Sequence, residues 1–135
     1  MLPSPPPAED GLDALVDHVI GDVLQRLPES FREQLGSVAI VVEDEPSGDQ
    51  LASVGARGLY GLYQGVPRTR WGVDNVPIAS KITLFLGPLT RSHPSPDGLR
   101  TAIADTLLHE IAHHLGIDDA RLRQIAGERV DPRPR

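Results

Sequence analysis

Among the 135 residues, His109, Glu110 and His113 form the string H-E-x-x-H. On a helix, residues four apart rise about 6 Å along the axis and project from one face, so the two imidazoles can converge on a single cation. Two nitrogen ligands of this kind favour zinc. Glu110 lies about 100° round the helix from His109, where a carboxylate holds a metal-bound water rather than the metal. The chain has no cysteine, so a metal must be held by His, Asp or Glu and no thiol nucleophile is available.

A catalytic zinc takes three protein ligands and keeps one position open. After the helix, Gly116 lets the chain reverse, and Ile117, Asp118 and Asp119 return beneath the histidines. Adjacent residues after such a turn project in different directions, so one aspartate is expected to serve the metal while the other caps or braces the next helix.

The full string, His109-Glu110-x-x-His113-x-x-Gly116-x-x-Asp119, resembles the H-E-x-x-H-x-x-G-x-x-D signature of the aspzincins, and that spacing selects Asp119 as third ligand. More widely, the chain resembles a group of small bacterial zincin-like metallopeptidases. That likeness includes Gly61-Leu62-Tyr63-Gln64-Gly65-Val66-Pro67 and the run Ile82 to Leu86 followed by Gly87-Pro88-Leu89, and spans roughly Val38 to Leu122. It implies a single-domain α+β fold, a minimal zincin, whose small mixed sheet packs on helices and sets an edge strand above the active-site helix, free to pair with an extended substrate. It also implies one zinc ion on His109, His113 and Asp119, with Glu110 as general base for peptide-bond hydrolysis by a zinc-bound water. The substrate would be a peptide or a flexible protein segment. Met1 is the sole methionine, so the methionine turn of metzincins is absent.

Two other readings compete. Endoribonucleases of ribosomal RNA maturation carry a similar helix, H-G-x-x-H-x-x-G-x-D-H, which Asp118 matches. Glu110 replaces their glycine, however, and Asp119 their third histidine. The formal net charge of −6 also disfavours a phosphate backbone or an anionic membrane surface. The other is a zinc-binding module without catalysis. Chance placement of two histidines and a glutamate on a solvated helix face is weighed against by Gly116 and Asp119 at the required offsets.

Other polar residues carry weaker signals. His114 points away from the shared face and reads as a flanking surface or outer-sphere residue, not a ligand. His18 has no partner pattern and reads as structural. His93, Tyr60 and Tyr63 are candidates for the electrophile that stabilises an oxyanion, against the plainer reading of rim or core packing. The acidic run Glu43 to Asp49 reads as a solvated loop, since EF-hand spacing is missing.

The elements that must position these residues follow from hydrophobic periodicity. From Asp10 to Leu27 the apolar residues Leu12, Leu15, Val16, Val19, Ile20, Val23, Leu24 and Leu27 recur at helical spacing, with Asp10 as cap and Pro28 as stop. A short helical turn follows around Phe31 to Leu35. Val38 to Val42 is a β-branched run that reads as a central strand. A short strand is expected near Leu59 to Tyr63, then an irregular loop from Gly65 to Pro77. Lys81 to Leu86 alternates as a strand that Gly87 and Pro88 close. After a polar turn from Ser92 to Gly98, Leu99 to Leu115 places Ala102, Ile103, Leu107, Ile111 and Leu115 on one helical stripe. Asp118 or Asp119 starts a last helix carrying Leu122 and Ile125.

Length and composition bound the whole: 135 residues, 39% apolar and 24% charged, suffice for one core and not two. The expected layout is a tail over 1–9, one domain over 10–128 and a tail over 129–135. No apolar run approaches the ~20 residues of a membrane helix, and Met1 to Ala8 has neither a basic cluster nor an apolar signal core. A cytoplasmic protein is expected, and its oligomeric state is not legible.

Overall fold

The computed structural model describes residues 7–54, 59–65 and 80–130. The elements in chain order are α1 (Pro7–Arg26), α2 (Glu29–Gln34), β1 (Val38–Glu43), α3 (Gly48–Val54), β2 (Gly61–Gln64), β3 (Ser80–Phe85), α4 (Leu86–Ser92), α5 (Pro96–Leu115) and α6 (Asp119–Val130). The result is an α+β fold, as expected. Most of the expected loop from Gly65 to Pro77, Val66 and Pro67 of the Gly-Leu-Tyr stretch, and the outermost residues of both ends lie outside the described residues.

The three described strands form a mixed sheet in the order β1-β3-β2. β1 runs parallel to β3, with Ile40 opposite Ile82, and β2 runs antiparallel to it, with Tyr63 opposite Ile82. The central strand among these is therefore β3 and not the Val38 to Val42 run. Burial shows why: along β3 only Lys81 is partly exposed, whereas Ala39 and Val42 on β1 face solvent. A β-branched run signals a strand but does not say how many neighbours it has.

Helix α5 is the axis of the molecule and touches α1, α4, α6, β2 and β3. Its expected stripe, Ala102, Ile103, Leu107, Ile111 and Leu115, is buried throughout. Val16, Val19 and Val23 of α1, and Leu27 just beyond its end, pack into the same core with Leu122 and Ala126 of α6 and Ile82 and Leu84 of β3. Each fully buried aliphatic side chain contributes about 1.5–3 kcal/mol relative to exposure. That core holds α5 rigidly by its apolar side and leaves its polar side for other uses.

Local signals set the helix ends. Ser95 caps α5 by accepting from the Gly98 N–H at 3.1 Å, and Pro96 occupies the first turn, so the helix begins ahead of Leu99. Gly116 ends it with φ of 71°, in the left-handed region. Two short helices were not expected from the sequence. α3 opens with a reciprocal box in which the Gln50 N–H donates to Ser47 Oγ and the Ser47 N–H to Gln50 Oε1. α4 begins directly after β3 at Leu86, and Pro88 sits in its first turn, where no backbone donor is needed. Similarly, α1 starts at Pro7, ahead of the Asp10 cap. Among the described residues, no helix is long and apolar enough to cross a membrane.

Candidate metal centre

The site lies where α5, the Gly116 turn and the start of α6 meet. Gly116 turns the chain so that Asp118 and Asp119 come back towards the last turns of α5, and the two aspartates then separate as expected. Asp118 Oδ1 accepts the Ala120 N–H at 2.8 Å and so caps α6. Asp119 instead turns to α5, its Oδ2 3.6 Å from Nδ1 of His109. Among the described residues its other oxygen, Oδ1, is buried and finds no hydrogen-bond partner. A buried carboxylate oxygen lacking a partner is costly, and occupation by a cation would relieve it.

Arg123, which the sequence reading did not single out, holds that carboxylate. Its Nε donates to Asp119 Oδ2 at 3.3 Å, Nη1 to Asp105 Oδ1 at 2.6 Å and Nη2 to the Asp105 carbonyl at 3.3 Å. One guanidinium thus ties the first turn of α6 to the middle of α5. The i, i+4 spacing of Asp119 and Arg123 was visible in the sequence; the long-range partner Asp105 was not.

His109 and His113 are exposed, while Glu110, one position round the helix, is buried at 8% of its accessible area. Burial raises the Glu110 carboxyl above its usual range; His109, His113 and the backbone N–H of Tyr63, which donates to it, pull in the opposite direction. The structure thus brings His109 together with Asp119 and sets Glu110 between the two histidines in sequence. Among the described residues it draws no three His, Asp or Glu side chains close enough to hold an ion. The donor set itself, two imidazole nitrogens and a carboxylate with one unpartnered oxygen, fits zinc.

Two of the weaker expectations narrow to one of their alternatives. His114 is not a surface residue: it is fully buried, with Nε2 3.2 Å from the Gln34 carbonyl and Nδ1 2.9 Å from the Tyr63 hydroxyl. A carbonyl only accepts, so Nε2 carries the proton, and in the neutral ring Nδ1 accepts from Tyr63. Tyr63 in turn is no oxyanion donor, because its hydroxyl is engaged by His114 and by Ser80 Oγ at 3.2 Å. Burial pushes its phenol up, which keeps it a donor. The alternation of strand β2 explains both, since its odd residues face α5, and periodicity from α5 alone could not reveal the partner. Tyr60 and His93 pair edge to face at 5.4 Å, and His93 Nδ1 reaches the Leu89 carbonyl at 3.1 Å. His18 lies on the exposed side of α1.

The Gly-Leu-Tyr stretch acquires a role. A Cβ on Gly61 would come within 2.6 Å of Thr106 Cγ2 and 3.2 Å of the Thr83 carbonyl, and 3.6 Å from Glu110 Cγ. A side chain at this position would require Thr106 or the strand to shift, so glycine sets how close β2 lies to α5. The strand is at an edge of the described sheet and beside Glu110, the arrangement that the resemblance implied.

No match to the chain is found among curated proteins. The family model of the zincin-like metallopeptidases matches residues 35–128. That span takes in the three described strands, the whole of α5, the Gly116 turn and Asp119. With more than half of its length so matched, the chain belongs to the zincin-like metallopeptidase family.

Proposed function

We propose that the protein is a zinc-dependent peptidase, with zinc held by His109, His113 and Asp119 and with Glu110 as general base. The observation that carries this reading is Asp119: it is turned towards His109, and its second oxygen is buried with no partner among the described residues. Bound there, zinc supplies Lewis acidity to a peptide carbonyl and acidifies water. Glu110 does the proton work. Its carboxylate, held by the Tyr63 N–H, takes a proton from the attacking water and delivers it to the departing amine nitrogen, acting first as base and then as acid. Its burial favours such a task, because a buried carboxylate bonded to a backbone N–H is held in one place for the transfer.

The substrate in this reading is a peptide or flexible protein segment, laid in extended form along the edge of β2. The protein acts in the cytoplasm. The test is metal analysis of the purified protein together with hydrolysis of a quenched peptide library, and an RNA substrate in parallel. About one zinc per chain and peptide cleavage abolished by a chelator are expected. Absence of zinc after incubation with the ion, or cleavage of RNA and not peptide, overturns the reading.

A further inference from the structure

Tyr63 touches three residues of the α5 motif region with three different parts of itself. Its backbone N–H donates to the Glu110 carboxylate. Its ring lies against the His113 ring, centroids 5.0 Å apart and planes inclined by 52°. Its hydroxyl is 2.9 Å from Nδ1 of His114. The phenol is itself secured from two sides, by Ser80 Oγ on β3 and, through His114, by the Gln34 carbonyl at the end of α2.

We infer that Tyr63 is the positioning residue of the centre, setting the His113 imidazole in a fixed relation to the Glu110 carboxylate, an assignment that rests on the zinc-peptidase reading above. His113 is solvent-exposed, and an exposed side chain loses rotamer entropy on binding an ion. A tilted ring packed against it removes part of that freedom before the ion arrives. The hydroxyl is needed because a ring that only filled space would serve as well without it, and a buried hydroxyl is costly unless bonded. Bonded to His114 and Ser80, it prevents the ring from swinging away from His113. Strand β2 thereby carries both the edge beside Glu110 and the orientation of a ligand.

Zinc affinity, read by chelator competition on metal-free Tyr63→Phe and Tyr63→Leu at a temperature where circular dichroism shows them folded, tests this, with His113→Ala as reference. The Leu variant should lose roughly tenfold or more in affinity, the range found for outer-sphere partners. The Phe variant, which keeps the ring, should lose less, about threefold. A tyrosine of purely structural role would lower the unfolding temperature and leave the affinity of the folded protein unchanged. A folded Leu variant that binds zinc as tightly as wild type overturns the inference; if that variant does not fold, the Phe variant decides, and unchanged affinity overturns it. Failure of the zinc reading looks different: wild type binds no zinc, or His113→Ala binds it as tightly as wild type, and the inference then falls with it.

Discussion

Asp119 Oδ2 stands 3.6 Å from His109 Nδ1 across the Gly116 turn, while the neighbouring Asp118 spends its carboxylate on the Ala120 N–H. Adjacent aspartates therefore have separable roles. Asp119→Ala should weaken zinc binding by at least about tenfold, and Asp118→Ala should leave it unchanged while lowering stability by ~1 kcal/mol through loss of a cap. Zinc titration and chemical unfolding of the two variants distinguish them; metal release by Asp118→Ala and not by Asp119→Ala would reverse the assignment.

Arg123 shares one guanidinium between Asp105 and Asp119. As a half-exposed pair it is worth only about 0–1 kcal/mol to the fold. Its effect on the centre should be larger: Arg123→Gln is expected to reduce zinc affinity by roughly tenfold with a small change in unfolding midpoint. Competition with a chelator measures the first and denaturant titration the second. Unchanged zinc affinity would show that Asp119 needs no such support.

Gly61→Ala should destabilise the protein by about 1–3 kcal/mol, since the added methyl meets Thr106 Cγ2 and the Thr83 carbonyl. Removing Cγ2 with Thr106→Ser should recover part of that loss in the double variant. Additive effects in denaturant unfolding, with no recovery, would mean that β2 is not held against α5 as described.

What could be read from the sequence divides along physical lines. The stripe of α5, its end at Gly116 and the separation of Asp118 from Asp119 follow from local periodicity and turn chemistry, and the structure agrees on each. The order of the strands depends on which neighbours bury a strand's edges, information that Val38 to Val42 does not carry. The Ser47 to Gln50 box and Ser95-Pro96 were local signals for α3 and for the start of α5 that acidic and polar composition obscured. His114 and Tyr63 are 51 residues apart, and a buried hydrogen bond over that separation leaves no periodic trace.

Glu45 and Arg91 form a two-pronged pair, at 2.6 and 3.1 Å, between the turn after β1 and α4. The Arg91 hydrogen bond lowers the Glu45 carboxyl below its usual value of 4.5. A carboxyl depressed by folding stabilises the native state above its unfolded value and loses that contribution as pH falls through the folded one. Arg91→Gln should thus be slightly less stable than wild type at neutral pH, and the gap should close on acidification. Thermal unfolding across the acid range reads this; a gap that persists to about pH 2, below the ordinary carboxyl range, would mean that the pair is not its source.

The central claim is that Glu110 moves the proton in peptide hydrolysis at a zinc centre. Its most direct measurement is the peptide-cleavage rate of zinc-loaded Glu110→Gln against wild type, with zinc content determined on the same samples. The amide can still accept the Tyr63 N–H but not a proton from water, so zinc should be retained and the rate should fall by about 100-fold or more. A variant that holds zinc and cleaves within about tenfold of wild type would contradict the account.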